Sequence, residues 1–170
     1  MLRRILLQSL LVSAAALASV SLATLAHAET AAYSRHQVSF RIDSRPDVGV
    51  RVYYNCDNVE SQLQSFLEQL GARNAYVRCS GGFDRNLPEI AWEAYVDLSF
   101  DALQIVSPRT SGAMRASFRD VKVREWDSCY LMRQVFNEVK PEFVTKNVSG
   151  PNTCFSANDS FHLELSTLFP

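Results

Sequence analysis

The stretch that decides the fold reads Cys56-Asp57-Asn58-Val59-Glu60-Ser61-Gln62-Leu63-Gln64-Ser65-Phe66-Leu67-Glu68-Gln69-Leu70-Gly71, and it ends eight residues before Cys79. Val59, Leu63, Phe66, Leu67 and Leu70 recur every three or four positions with polar residues between them, the period of a helix with one apolar face. Asp57 stands where a cap accepts the first free N–H groups, Glu60 is its capping-box partner, and Gly71 marks the stop. Tyr76-Val77-Arg78 then lead into Cys79 as extended chain, so the two cysteines bracket a helix and the strand after it.

The same grammar recurs downstream. Cys129 precedes a second apolar stripe of Leu131, Met132, Val135, Phe136 and Val139, with Asp127 or Ser128 as the cap and Pro141 as the end. A weaker strand over 143–148 and a turn at Gly150-Pro151-Asn152 then lead to Cys154. The spacings are 23 and 25 residues, and Val50-Arg51 and Val123-Arg124 each stand six residues ahead of the first cysteine of a pair. A strand that enters each first cysteine, a helix that returns and a strand that comes back leave both cysteines at one edge. Of the three pairings that four cysteines allow, this geometry predicts Cys56–Cys79 and Cys129–Cys154.

The chain opens Met1-Leu2-Arg3-Arg4, continues as an uncharged apolar run from Ile5 to Ala26, and reaches Ala26-His27-Ala28 before Glu29. A basic start, an apolar middle and small residues before the cut describe a secretory signal over residues 1–28 that is cleaved. The run is long enough to cross a bilayer, but Gln8 and its serines dilute it and the Ala-x-Ala site is well formed. An exported protein, periplasmic or secreted, with no membrane span after cleavage is therefore expected. Export brings the thiols to an oxidising compartment, where bridges persist.

Cleavage leaves 142 residues with 15 basic and 18 acidic side chains, a net charge of −3. That balance excludes a generic attraction to nucleic acid or to anionic membranes. The length supports one core. Residues 29–36, small and polar, are expected to be a flexible leader, and residues 37–170 a single disulfide-stabilised domain.

Alternation supplies the strands. Val38, Phe40 and Ile42 form one, Pro46-Asp47 turns the chain, and Val48, Val50, Val52 and Tyr54 form a second. Ala94, Val96, Leu98 and Phe100 point inward on a long strand. The chain turns near Pro108, Ser111 and Gly112 and returns through Ala116, Phe118, Val121 and Val123, as a hairpin over residues 93–124. The change of parity between Phe118 and Val121 predicts a bulge near Arg119-Asp120. Phe161, Leu163 and Leu165 make a last strand, with His162, Glu164 and Ser166 on its other face. The whole is an α+β fold, a mixed or antiparallel sheet with two helices on one face. Its halves fit a duplicated βαββ unit, ferredoxin-like in its split βαβ, with one disulfide per half.

No motif names a reaction. His36 falls in the leader, and His162 shares a strand face with Glu164, an arrangement that suits a general base and its orienting acid. Ser80-Gly81-Gly82-Phe83-Asp84-Arg85 lacks the spacing of a phosphate-binding loop. Asp84 with Glu89, and Asp97 with Asp101, are the carboxylate pairs available for glycoside chemistry. The cysteines lack the close spacing of a redox dithiol or a metal site, so neither metal nor cofactor is expected. Twelve arginines after the cut, Trp92, Trp126 and tyrosines on strands suit a contact surface. The expectation is a non-enzymatic binding or interaction module of the cell envelope, its partner an unidentified protein or envelope ligand. The alternatives are a small exported hydrolase using acidic residues with His162 and Glu164, and a structural protein that oligomerises through a strand edge. Asn147 and Asn158 each open an Asn-x-Ser sequence, relevant where the host glycosylates exported proteins.

Overall fold

A computed structural model of the chain describes residues 28–43, 53–82, 93–125, 129–150, 154 and 159–170. The signal segment, the turn at Pro46, the strand expected over 48–54 apart from Tyr53 and Tyr54, and Asp84, Arg85 and Glu89 lie outside the described residues. So do both tryptophans, Asp127, Ser128, Pro151, Asn152 and Asn158.

The elements run β1 (Glu29–Asp43), α1 (Cys56–Gln69), β2 (Arg73–Gly81), β3 (Glu93–Ile105), β4 (Met114–Glu125), α2 (Cys129–Val139), a 3-10 turn over Lys140–Glu142, β5 (Thr145–Ser149) and β6 (Phe161–Phe169). This is an α+β fold with six strands in the order β2-β3-β1-β4-β6-β5, every neighbouring pair antiparallel. The order reads the same from either end when β1, α1, β2 and β3 are exchanged for β4, α2, β5 and β6. In each half the strands flanking the helix run parallel, and the third strand fills the gap between them.

Residues 29–36, expected as a leader, are instead the first half of β1. The strand pairs with β3 from Ala31 opposite Ile105 to Asp43 opposite Glu93, and it meets β4 where Glu29–Ala31 face Met114–Ala116. Ala31 and Ala32 are buried, but they are small, and Ser34 and His36 are polar. The apolar alternation that betrays a strand therefore starts only at Val38. Because β1 occupies the middle of the sheet, the hairpin expected over 93–124 does not form: β3 lies on one side of β1 and β4 on the other.

The bulge also moves. β4 pairs with β6 in unbroken register from Ser117 opposite Phe169 to Glu125 opposite Phe161. The parity changes because each sheet face has its own apolar cluster. Val121 and Val123 serve the main core with the helices, whereas Ala116 joins Ala31, Leu103 and Leu168 on the opposite face, with Tyr33 and Phe118 packed against them. The irregularities sit on the outer strands instead. Arg73 to Tyr76 oppose Asp101 to Ser99, and Lys146 to Ser149 oppose Ser166 to Glu164, one extra residue in each case. Each slip holds an asparagine in the left-handed region, Asn74 at φ 50° and Asn147 at φ 52°, a conformation asparagine tolerates better than most residues.

The cap of α1 lies one residue ahead of the cysteine. Asn55 accepts from the N–H groups of Asp57 at 2.9 Å and Asn58 at 3.4 Å, and Asp57 is inside the first turn. Glu60 is thus free of capping, and its Oε1 accepts the backbone N–H of Cys79 at 2.8 Å. Cys79 stands on an outer strand, so the acid closes an N–H that points away from the sheet. At the other end Gly71, φ +91°, ends the helix as foreseen: its N–H reaches Glu68 O and that of Ala72 reaches Leu67 O.

Both helices contribute to one core. Phe66 of α1 meets Phe136 of α2 and Phe161 of β6 edge-on, at centroid distances of 6.5 and 6.1 Å. Each helix also closes the other half's sheet. Gly71 abuts Leu168 and Phe169 of β6, while Phe143, just past α2, stacks on Phe100 of β3 at 5.3 Å. Gln134 of α2 donates to the Arg41 carbonyl of β1. Cys56 is bonded to Cys79 and Cys129 to Cys154. Among the described residues no helix is long and apolar enough to cross a membrane.

Candidate functional site

The register places odd-numbered residues of β1 and β3 and even-numbered residues of β4 and β6 on the face turned away from the helices. In the first half this face is a ladder of polar rungs. Arg41 Nη1 meets Glu93 Oε1 at 3.0 Å, the Tyr95 hydroxyl donates to Glu93 Oε2 at 3.1 Å, and the Ser39 hydroxyl donates to Asp97 Oδ1 at 2.7 Å. Arg35 spans further, donating to Asp101 Oδ1 at 3.1 Å, Ser99 Oγ at 2.7 Å and the carbonyl of Asn74 at 3.2 Å. Asn74 Nδ2 donates to Asp101 Oδ2 at 2.7 Å.

That last bond is the main reason the Asp101 carboxyl is held below its ordinary value. Partial burial opposes the shift, and the hydrogen bond and charge of Arg35 reinforce it. A carboxyl that ionises more easily folded than unfolded favours the fold in its charged form. Its contribution is complete above the unfolded value, about pH 3.9, and is lost as pH falls through the lower folded value. Asp101→Asn is expected to flatten the loss of thermal stability in that acidic window; an unchanged slope of melting temperature against pH would contradict it.

Two tyrosines stand out of this ladder, Tyr76 at 63% exposure and Tyr95 at 53%. Tyr76 is opposite Ser99 and Tyr95 opposite Ser80, which sets them roughly 13 Å apart along the strands. Arg78 lies between them, opposite Asp97.

The second half carries a groove of about 290 Å³ on the same face, with Asp120, Lys122, Asn147, Ser149, Glu164 and Ser166 among its walls. Asn147 Nδ2 donates to Ser166 Oγ at 3.3 Å, and the Ser166 hydroxyl donates to Asp120 Oδ1 at 2.7 Å. Lys122 Nζ meets Glu164 Oε1 at 2.9 Å. Beside the groove Lys146 stands over the Phe118 ring at 3.6 Å, as Arg73 stands over the Tyr33 ring at 4.5 Å in the first half.

No family model, curated protein or solved structure matches this chain. Its function is therefore read from these two surfaces.

His162 and Glu164 share a face, but each is engaged elsewhere: His162 Nε2 with Ser160 Oγ at 2.8 Å, Glu164 with Lys122. Asp97 and Asp101 are likewise taken up in separate rungs. His36 is not in a leader but half-buried on the helix side. Its Nδ1 meets Glu142 Oε2 at 2.5 Å, and Gln104 donates to the Glu142 carbonyl at 2.7 Å. The four cysteines are staples and line neither surface. Among the described residues no cluster of His, Cys, Asp or Glu is arranged to hold a metal ion. The groove was invisible in sequence because it depends on register across three strands. One signal does anticipate it: Arg73-Asn74 and Lys146-Asn147 are 73 residues apart, the same offset as Cys56 and Cys129.

Proposed function

We propose that the protein is an exported, non-enzymatic binding module that presents the helix-free face of its sheet to a protein or envelope partner. The observation that carries this is the pair Tyr76 and Tyr95, half or more exposed on a rigid platform whose neighbouring charges are already paired across strands. Tyrosine supplies large contact area with few rotors to immobilise, and Arg78 between the rings adds directional donors. The separate engagement of His162 and Glu164 favours binding over the hydrolase alternative. The two disulfides fit an oxidising compartment.

The module is built, in this reading, from two copies of one βαββ unit, each with the split βαβ of ferredoxin-like folds. Supporting it are the palindromic strand order, the twin asparagine slips, the twin cation-over-ring contacts and the matched seam residues Ala31 with Ala116 and Leu103 with Leu168.

Tyr76→Ala/Tyr95→Ala is expected to fold with an unchanged melting temperature and to lose a partner that the wild type retains on cross-linking in the native envelope. A partner retained equally by both proteins, or a hydrolytic activity abolished by His162→Ala and untouched by the tyrosine changes, would overturn the proposal.

A further inference from the structure

The guanidinium of Arg35 lies among three acceptors that the first half supplies: Asp101 Oδ1, Ser99 Oγ and the carbonyl of the left-handed Asn74. The registers give every participant a counterpart in the second half. Ser166 is opposite Lys146 as Asp101 is opposite Arg73, and Asn147 follows Lys146 as Asn74 follows Arg73. Glu164 precedes Ser166 by two residues, as Ser99 precedes Asp101. Asp120 is opposite Ser166 as Arg35 is opposite Asp101. Three of the four positions keep groups that accept hydrogen bonds. The fourth is inverted, because the long cationic arm of the first half is replaced by a short carboxylate.

The groove lies along the strands where that arm has no counterpart. Its hydrogen bonds have a fixed direction. Ser166, only 4% exposed, spends its proton on Asp120 Oδ1 and accepts from Asn147 Nδ2. These bonds use one oxygen of Asp120 and the amide nitrogen of Asn147, so each of these groove-lining residues keeps a second, accepting oxygen. Glu164 holds Lys122 through Oε1, an exposed pair of the kind that is only weakly bound, and keeps Oε2. Lys122 is paired with Glu164, and Lys146 beside the groove is taken up by the Phe118 ring and by Glu29 at 3.8 Å. The two carboxylates and the amide oxygen suit a planar cation with several fixed donors better than a point charge.

We propose that this groove receives a guanidinium group from outside the chain, carried by a free small molecule or by an arginine side chain of a peptide. The site is separate from the tyrosine platform, and its failure would leave that platform's role standing.

The test is a ¹H–¹⁵N NMR titration of the disulfide-bonded protein with agmatine, with the blocked peptide acetyl-Gly-Arg-Gly-amide and with its citrulline analogue. Saturable shifts at Asn147, Ser149, Glu164 and Ser166 are expected from the guanidinium ligands and not from citrulline. Asp120→Asn should weaken binding roughly ten-fold or more, the worth of a charge-assisted hydrogen bond. Asp120→Arg, which recreates the first-half arrangement, should abolish it. Agmatine binding as tightly as the peptide identifies a small-molecule source, and a clear preference for the peptide identifies a side chain. Absence of saturation by either guanidinium, equal binding of citrulline, or undiminished binding to Asp120→Arg would overturn the proposal.

Discussion

Replacing Cys56, Cys79, Cys129 and Cys154 together by serine is expected to leave the chain largely unfolded at 37 °C. The bridges close loops of 23 and 25 residues, and each removes about 3 kcal/mol of unfolded-chain entropy in the loop-closure account. Their combined loss, about 6 kcal/mol, is comparable with the whole stability of many domains, about 5–15 kcal/mol. Each bridge also ties the first residue of a helix to its own half's later chain, Cys56 to β2 and Cys129 to the segment before β6. Removing one bridge alone should lower the melting temperature by roughly 10 °C. Circular dichroism melts of the two paired variants and the quadruple variant check this; a quadruple variant that melts within a few degrees of wild type would show that the core, not the staples, holds the fold.

Phe66→Ala is the most damaging single core change expected. Phe66 is completely buried and touches Phe136 of the other helix and Phe161 of the other half. Truncating a buried phenylalanine costs about 3–5 kcal/mol through lost transfer energy and the cavity left behind. Here the cavity opens where α1 meets α2 and β6. Urea unfolding followed by circular dichroism should show a much lower midpoint. A loss below about 1 kcal/mol would mean that the halves are joined chiefly elsewhere.

The parts of this fold that were legible in the sequence are those with one buried face. Val59 to Leu70 and Leu131 to Val139 have helical stripes, Ala94 to Phe100 and Phe161 to Leu165 alternate cleanly, and all of them supply the main core. The parts that misled serve two faces at once. In β4, Phe118 belongs to one apolar cluster and Val121 and Val123 to the other, so a straight strand imitates a bulge. In β1, Ala31 is buried by lying between β3 and β4 and not by its own hydrophobicity, so the central strand reads as a leader. The His36–Glu142 contact joins residues 106 apart and the Ser166–Asp120 bond residues 46 apart. Neither distance leaves a local trace. The groove needs more still, since it arises from the difference between two equivalent registers, Arg35 in one and Asp120 in the other.

The twin asparagine slips also bear on how the sheet's margins meet other chains. They sit on β2 and β5, the two strands at the margins of the sheet. A margin with a long straight run of free N–H and C=O groups templates the addition of another chain and, repeated, a fibril. Here the run is broken on both sides at equivalent places. β5 is only five residues long, and on β2 Glu60 occupies the outward N–H of Cys79. The same left-handed residue at equivalent places on both margins thus shortens the straight run that a neighbouring strand could pair with.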